Sequence, residues 1–487
     1  MQQPSIDLHL ILPEVILSVT ILVVLVVDLF LREQRKFLAM PLSAVGVLAS
    51  FIALLTLIGT DATTFDGAYV VDPFALLFKG FFLAVAFVVL LLSYGYLRDG
   101  DFYQGEYYFL LLMAFLGCML MPSVRDLLML FIAIELVSVP GFLMAAFKKK
   151  DARSNEAGLK FFVIGVLSST IMLYGMSLIY GLTGSLNLET IAQKLGGPAG
   201  QQPLALAAIL FVVGGFAFKV SAVPFHFWAP DTYEGSPVPV AAFLSVASKA
   251  AGFVGLLVLM FVGFIHQASF WAPIFAVLSV ATMTLGNLVA LKQTQIVRLL
   301  AYSSVAQAGY MLLPFALAGG TPEQNATAFA AAATYILIYA IMNLGAFAVV
   351  ILMSREQPGA FLTDYAGLIK RAPAIAVSMT IFMVSLAGIP PTAGFWAKFA
   401  VFFAAIQRGG MGPWLAGFMV VNSVISVGYY FAVVKQMIFV EGEVRHRIRV
   451  PVLLGAVVAA SAVLILVLGI LPAVLTGLPQ DATLALP

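Results

Sequence analysis

The stretch LLMLFIAIELVSVP, residues 127–140, decides the fold class of this chain. It is apolar except for Glu135 and Ser138, and it lies inside a longer apolar run, 125–147. A helix of about 20 such residues is long enough to cross the hydrocarbon core of a bilayer. Strands of a membrane barrel would be shorter and would alternate between apolar and polar residues. The stretch therefore predicts a transmembrane α-helix with a carboxylate near its middle.

Similar runs recur along the whole chain of 487 residues, of which 62% are hydrophobic and only 10% are charged. Soluble proteins carry roughly 25% charged residues, so this composition indicates an integral membrane protein of the all-α class. Fourteen runs predict about fourteen spans, at 11–31, 38–59, 72–97, 107–121, 125–147, 157–181, 204–228, 238–265, 271–291, 296–318, 328–353, 373–404, 413–440 and 450–476.

The distribution of basic residues supports this count and predicts an orientation. Of the 25 Lys and Arg residues, 16 fall in odd-numbered loops, three in even-numbered loops and six inside spans, with Arg125 and Arg298, at the starts of their spans, counted with the adjoining loops. Cytoplasmic loops are enriched in Lys and Arg. We therefore expect the odd loops to face the cytoplasm and both termini to face the other side. Met1–Leu10 contains no Lys or Arg, so the first span is expected to be retained rather than cleaved as a signal peptide.

The composition excludes several classes of function. The single cysteine, Cys118, cannot form an internal disulfide or an iron–sulfur cluster, and His9, His226, His266 and His446 show no metal-ligand spacing. The sequence contains neither a G-x-G-x-x-G turn nor a P-loop, so no bound cofactor and no metal are expected in this chain. The near-neutral net charge of +2 gives no indication of nucleic-acid binding.

Four ionisable residues lie deep in the predicted spans: Glu135, Lys219, Lys249 and Lys398. An ionisable side chain near mid-bilayer costs at least ~2.5 kcal/mol and usually marks a function. We therefore predict that these four residues carry charge, most simply protons, across the membrane.

Other charges within spans have ordinary explanations as well. Lys435 is near a span end and can extend to the interface. Lys79 lies two turns inside its span, with Asp72 at the start, and either a structural contact or a role in conduction fits. Lys160 follows Glu156 by four residues, which places both on one helix face. That pair is either a stabilising contact or part of the relay.

Two spans contain helix breaks next to buried lysines. In GGFAFKVSAVPFHFWAPDTYEGSP, residues 214–237, Pro224 follows Lys219, and in SLAGIPPTAGFWAKF, residues 385–399, Pro390 and Pro391 precede Lys398. Proline removes a backbone donor and interrupts a helix, and interrupted helices in corresponding halves point to an ion site. The breaks fall in spans seven and twelve. Because an offset of five spans reverses topology, spans 4–8 and 9–13 are predicted to be inverted repeats.

These two motifs resemble the antiporter-like membrane subunits of respiratory complex I. Two further stretches share the resemblance: LLAYSSVAQAGYMLL at 299–313 and EAGLKFFVIGVLSS at 156–169. That family is homologous to subunits of multisubunit cation/proton antiporters, and the similarity runs over nearly the whole chain. Three features favour its bacterial N-type branch: the passage 135–160, a lysine at 398 instead of a glutamate, and the absence of a long lateral helix after span fourteen.

The resemblance implies roles for particular residues. Glu135 would be the carboxylate partner of Lys219, Lys249 the central relay and Lys398 the terminal site of the second half-channel. Many relatives carry His where this chain has Gln307, which cannot exchange a proton near neutral pH. His226, after the first break, is either part of the relay or a packed histidine.

The resemblance also implies an organisation and partners. The expected segments are an N-terminal three-helix part at 1–106, repeats at 107–265 and 271–440, and a C-terminal helix at 441–487. NADH, FMN, iron–sulfur clusters and quinone would be bound by other subunits, and this chain would be a non-redox translocase subunit. Expected partners are M-type and K-type neighbours, the lateral helix of the L-type subunit, and lipids, in a bacterial inner membrane with both termini periplasmic.

Two other functions remain open from the sequence. The chain could belong to a cation/proton antiporter that uses the same lysines for sodium or potassium exchange. It could also be a non-conducting scaffold, although the four buried ionisable residues argue against that.

Overall fold

A computed structural model describes residues 6–100, 104–356, 361–442, 447–473 and 477; His446 lies outside these ranges. The described chain is a bundle of α-helices with one β-hairpin, in which Ala62–Thr64 (β1) pairs antiparallel with Tyr69–Val71 (β2). The helices are α1 Leu12–Phe30, α2 Ala39–Leu55, α3 Pro73–Asp99, α4 Gln104–Leu120, α5 Leu127–Ala145, α6 Ala152–Thr183, α7 Leu188–Leu195, α8 Pro203–Lys219, α9 Trp228–Gly235, α10 Val238–Phe243, α11 Lys249–Val258, α12 Ala268–Ala290, α13 Ile296–Ala316, α14 Pro322–Glu356, α15 Leu368–Arg371, α16 Pro373–Ala387, α17 Ala393–Arg408, α18 Gly412–Ile438 and α19 Val452–Ile470.

The predicted apolar runs all contain helices. Among the described residues, eleven helical segments are long and apolar enough to cross a membrane, and three shorter apolar helices, α4, α8 and α16, lie on the remaining runs. The all-α membrane fold is thus confirmed, whereas the count of fourteen crossings and the domain boundaries stay predictions. The sequence did not predict α7, a short amphipathic helix between two runs.

Polar residues in the loops fix where helices begin. The side chains of Asp72, Asp126, Asp151 and Asn187 each accept a hydrogen bond from a backbone N–H in the first turn of α3, α5, α6 and α7 respectively. Such caps satisfy donors that have no partner within the helix. Each cap thus explains why the helix begins at the residue that follows it.

The two predicted breaks are present. The helix of span seven already ends at Lys219, and residues 220–227, including Pro224, are non-helical before α9 begins. In span twelve the interruption covers residues 388–392, which contain both prolines. Pro140, by contrast, is accommodated inside α5. A proline alone therefore does not explain the breaks, and the polar groups around each break must be considered.

The centre of the bundle is formed by three membrane-length segments. Nearly all of Val238–Gly263, Ile296–Ala316 and Pro322–Arg355 is buried inside the chain, whereas fewer than half of the residues in α1, α6 and α19 are buried. Val238–Gly263 consists of α10 and α11 with π-helical turns at Leu244–Ser248 and Leu259–Gly263. Turns of this kind inside α-helices are frequently found at functional sites.

Two ion pairs hold the N-terminal helices: one joins α3 to α1, and the other joins the start of α3 to the residue before the cap of α5. Lys79 lies 2.9 Å from the Glu14 carboxylate, and its ammonium donates a 2.5 Å hydrogen bond to the Tyr69 hydroxyl. Asp72, which the sequence suggested as a contact of Lys79, instead pairs with Arg125 at 2.9 Å. The contact alternative for Lys79 is therefore supported, with a partner on another helix. Lys435 is exposed near the end of α18, as an anchoring lysine would be.

Candidate proton relay

Lys219 lies at the first helix break, where it is the last residue of α8 and only 3% exposed. Its ammonium donates a 2.7 Å hydrogen bond to the hydroxyl of Ser138 on α5. At the break the Phe218 carbonyl accepts two hydrogen bonds, from the Ser221 N–H and from the indole N–H of Trp228, both at 3.0 Å. A side chain thus helps to satisfy the backbone at this interruption, as a break inside a membrane requires.

Glu135 lies on the same helix as Ser138, three residues earlier, so both side chains are on one face. Its carboxylate is half-buried and accepts a 2.5 Å hydrogen bond from Ser169 on α6. Within the described part of the chain, Glu135 and Lys219 do not form a direct ion pair. Each of the two predicted partners is instead hydrogen-bonded to a serine, Glu135 to Ser169 and Lys219 to Ser138. The spacing of Ser138 from Glu135 could have identified it from the sequence, whereas Ser169 comes from another helix.

Lys249 immediately follows the π-helical turn Leu244–Ser248 and is 2% exposed. It donates a 2.7 Å hydrogen bond to the Ser304 hydroxyl on α13, and its ammonium is 6.0 Å from the centre of the Tyr233 ring. The π-helical turn adds a residue to the helix and so changes the direction in which the following side chains point. Neither the turn nor the contact with Ser304 could be read from helical spacing.

Lys398 lies on α17 beyond the second break and is 7% exposed. It donates a 2.8 Å hydrogen bond to the Ala387 carbonyl, which the end of α16 leaves free, and it lies 4.8 Å from the Tyr310 ring centre. Gly388 ends α16 with a left-handed φ of 85°, and a Cβ there would approach the Lys398 side chain to 2.7 Å. A mainly apolar cavity of about 360 Å³, lined in part by Phe395 and Phe399, adjoins the lysine.

Gln307 connects the second break to the middle of the bundle. Its amide nitrogen donates to the Leu386 carbonyl and to the Tyr430 hydroxyl, both at 3.0 Å. Its amide oxygen accepts a 2.5 Å hydrogen bond from Tyr335. Gln307 and Lys398 therefore bind two consecutive carbonyls at the end of α16. The contacts of Gln307 with Tyr335 and Tyr430 could not be predicted from the sequence, because the two tyrosines lie on other helices, α14 and α18.

The lysines differ in how their charge is compensated. Lys79 has a carboxylate at 2.9 Å. Lys219, Lys249 and Lys398 form no ion pair with a carboxylate of the described residues and are held by a hydroxyl or a carbonyl. A buried charge without an opposite charge is costly. These three sites can therefore gain or lose a proton without breaking a salt bridge, which Lys79 cannot.

His226 lies in the interruption between α8 and α9, 4% exposed and within electrostatic range of Lys249. Its Nδ1 has no hydrogen-bond partner in the part of the chain that the structure describes. Its ring contacts Phe227, with 4.5 Å between ring centres. Both alternatives for His226, relay group and packed histidine, remain consistent with this position.

Lys160 and Glu156 are at the surface, in a network of five charges. Lys160 is 2.7 Å from Glu156 and 2.9 Å from Asp231, and Arg298 is 2.9 Å from Asp231 and 2.7 Å from Glu234. The Lys160 side chain is 44% exposed and has two carboxylate partners, unlike the buried lysines of the predicted relay. The network ties α6 and α13 to α9, the second half of the broken helix.

Nothing among the described residues suggests a bound metal, since no group of three or more His, Cys, Asp or Glu side chains is clustered there. The arrangement consists instead of single ionisable groups linked by hydroxyls and carbonyls at helix interruptions.

Comparison with known proteins identifies the family. The family described as "NADH:quinone oxidoreductase/Mrp antiporter, TM" matches residues 124–426, more than half of the chain. The chain belongs to this family. The matched part contains Glu135, Lys219, Lys249 and Lys398, so the predicted relay lies wholly within the shared domain.

Two relatives match this chain over nearly its full length. NADH-quinone oxidoreductase subunit N of Trichlorobacter lovleyi is 41% identical and covers 98% of the chain, with 97% of the relative covered. F(420)H(2) dehydrogenase subunit N of Methanosarcina mazei is 40% identical, with 97% and 98% covered. The resemblance to the antiporter-like subunits of complex I is thus confirmed.

Solved structures agree with this assignment. A chain of respiratory complex I from Thermus thermophilus superposes on this family member with a TM-score of 0.80 at 30% identity, covering 96% of this chain and 100% of that one. A chain of the Mrp complex from Dietzia sp. superposes with a TM-score of 0.81 at 22% identity, covering 98% and 97%. The second likeness shows that the two share a fold.

Proposed function

We propose that this chain is a proton-translocating membrane subunit of an NADH:quinone oxidoreductase. In this proposal the protonation states of Glu135, Lys219, Lys249 and Lys398 change in sequence while electrons move in other subunits. One observation carries the proposal: three buried lysines lie at helix irregularities, each bound to a neutral hydroxyl or carbonyl instead of a carboxylate. A purely structural lysine would be expected to have a partner like that of Lys79.

The separation of Glu135 from Lys219 supplies a switch of the required size. Two unit charges 4 Å apart attract by about 4 kcal/mol at an effective dielectric constant of about 20. Moving one charge against ~150 mV costs ~3.5 kcal/mol at ~2.3 kcal/mol per 100 mV. Closing the pair would hold the proton on Lys219, and opening it onto Ser138 and Ser169 would release the proton toward Lys249. One such pair is sufficient to move one proton.

Electron transfer is assigned to other subunits. NADH, FMN, iron–sulfur clusters and quinone are proposed to bind outside this chain, which then acts as a non-redox translocase subunit. The relative from Methanosarcina mazei is named for a different electron donor. The proposed proton relay is compatible with either donor, since it depends only on charges within the membrane.

The proposal includes a location and neighbours. Solved relatives come from multisubunit complexes. We place the chain in a bacterial inner membrane with both termini periplasmic, as the distribution of basic residues predicts. The lateral surfaces of the chain would be covered by M-type and K-type subunits, by the lateral helix of an L-type subunit and by lipids. Glu135, which is half-buried in the isolated chain, would lie on such a surface.

The second candidate function is that of a cation/proton antiporter subunit, favoured by the common fold with the Mrp chain. Carboxylates and carbonyls are the ligands that Na⁺ or K⁺ would need. At Lys398 the free Ala387 carbonyl is occupied by an ammonium, so a metal cation would have to displace the lysine. The arrangement therefore favours protons.

The test measures proton-to-electron stoichiometry in membrane vesicles that contain the assembled complex. Lys219→Ala and Glu135→Ala are expected to leave the complex assembled and to lower the number of protons moved per electron. Lys435→Ala serves as the matched control, because that lysine is exposed at a helix end. Normal stoichiometry in both relay variants would refute the proposal, and a dependence of transport on added Na⁺ would support the antiporter instead.

A further inference from the structure

Tyr430 occupies a position between the lysine sites that the relay described above does not use. It is fully buried on α18, and its hydroxyl contacts two residues of α13: Ser303 at 2.6 Å and the Gln307 amide nitrogen at 3.0 Å. Ser303 and Gln307 are four residues apart, so they lie on one face of α13 and bind the same hydroxyl.

The hydrogen bonds of Gln307 fix the orientation of its amide. The Leu386 carbonyl can only accept, so the nitrogen of Gln307 must face it, and the oxygen then faces the donating Tyr335 hydroxyl. Both N–H groups and the oxygen are engaged. An amide that is held in this way, and that does not titrate, cannot carry a proton onward.

The direction of the Tyr430 hydroxyl follows from that orientation. Because Gln307 donates to the Tyr430 oxygen, the tyrosine's own hydrogen is free to point to the Ser303 oxygen. Ser303 adjoins Ser304, which accepts from Lys249. On the other side, Gln307 touches Leu386, next to the carbonyl that holds Lys398. Tyr430 therefore lies on the line of polar groups between the two lysines.

Two neighbouring tyrosines donate to amide oxygens. Tyr335 donates to the Gln307 oxygen, and Tyr429 donates to the Asn287 oxygen at 3.0 Å. An amide oxygen that accepts a hydrogen bond has no exchangeable proton to pass on at neutral pH. The Tyr430 hydroxyl instead lies 2.6 Å from another hydroxyl, that of Ser303.

We propose that the Tyr430 hydroxyl carries protons past Gln307, and that Gln307 is a positioning residue which holds that hydroxyl toward Ser303. The inference rests on the proposed proton-translocating function. Transfer from Lys249 toward Lys398 begins when the Ser303 hydroxyl turns its hydrogen to the Tyr430 oxygen, since either hydroxyl can donate in this contact. A water molecule on the Lys249 side gives a proton to the Ser303 oxygen as the Ser303 proton passes to the Tyr430 oxygen, and the Tyr430 proton leaves to a water molecule on the Lys398 side. Each oxygen gains one proton and loses one, and the hydroxyls then rotate back to the starting orientation.

The experiment uses the assembled complex in vesicles and compares protons moved per electron. Tyr430→Phe keeps the ring and removes only the hydroxyl, and it is expected to lower the ratio as far as Lys249→Ala does. Tyr108→Phe is the matched control, because Tyr108 is equally buried and its hydroxyl has no partner among the described residues. Adding Gln307→His to Tyr430→Phe is expected to restore part of the ratio, since an imidazole can exchange protons at this position.

The outcomes separate this inference from the proposed function. If Lys249→Ala lowers the ratio and Tyr430→Phe does not, the role of Tyr430 is refuted and the function stands. If neither lowers it, the proposed function fails as well. Should Tyr430→Phe prevent assembly, Ser303→Ala decides the matter: it removes the acceptor of the same hydroxyl and is expected to give the same loss. A normal ratio in that variant would also refute the inference.

Discussion

Removing the carboxylate of Glu14 is expected to destabilise the N-terminal helices strongly. The Lys79 side chain is 0% exposed and that of Glu14 is 7% exposed, with 2.9 Å between the charged groups. Breaking a buried ion pair by deleting one partner typically costs about 3–5 kcal/mol, because the other charge stays buried. The Tyr69 hydroxyl at 2.5 Å and its ring at 4.6 Å are contacts of the ammonium that Glu14→Leu does not remove. We therefore expect a loss of about 3 kcal/mol, at the lower end of that range.

The double variant Glu14→Leu with Lys79→Met gives this prediction its sharpest form. Replacing both members of a buried pair by apolar residues of similar size is often neutral, so the double variant should recover most of the stability that the single one loses. The readouts are the fraction of chain found in the complex on native gels and the midpoint of heat inactivation of the detergent-purified complex.

An exposed ion pair provides the control. Lys370 and Glu441 lie 3.2 Å apart with side chains 57% and 89% exposed, and such pairs contribute at most about 1 kcal/mol. Glu441→Leu should thus change little. The reasoning is wrong if Glu14→Leu is no more harmful than Glu441→Leu, or if the double variant is no more stable than the single one.

Three other predictions follow from the geometry. Ser138→Ala removes the hydroxyl that binds Lys219 and should lose about 1.5–3 kcal/mol of interaction with the ammonium; slower coupled proton transport at normal assembly is expected, while Ser177→Ala, on the exposed side of α6, should have no effect. Gly388→Ala should impair transport, because alanine strains the backbone at a φ of 85° and its Cβ, 2.7 Å from the Lys398 side chain, would displace that lysine. Gly417→Ala is the control, since a Cβ there has nothing within 4 Å. Equal transport in the two variants would contradict the role of Gly388. Cys118 is buried, so a cysteine placed at Lys149 should be the reactive thiol toward a membrane-impermeant reagent; labelling from the cytoplasmic side is expected, and labelling from the opposite side would overturn the predicted orientation.

Much of the fold could be predicted from the sequence, because a bilayer imposes simple rules on a helix. Apolar length determined that the chain spans a membrane, and the mid-span positions of Glu135, Lys219, Lys249 and Lys398 singled them out. The second break lies where Pro390 and Pro391 placed it. The first, residues 220–227, contains Pro224 and directly follows Lys219, as predicted.

The partners of these residues were decided by tertiary structure alone. Lys79 pairs with Glu14 rather than with Asp72 on its own helix, and Lys219 binds Ser138 while Glu135 binds Ser169. Lys249 reaches Ser304 from a helix whose phase is shifted by a π-helical turn. The membrane selects apolar length and depth one helix at a time, so the sequence contains that information locally. Which charge has a counter-charge and which has only a hydroxyl depends on how helices far apart in the chain pack against each other, and that difference separates a structural lysine from one able to exchange its proton.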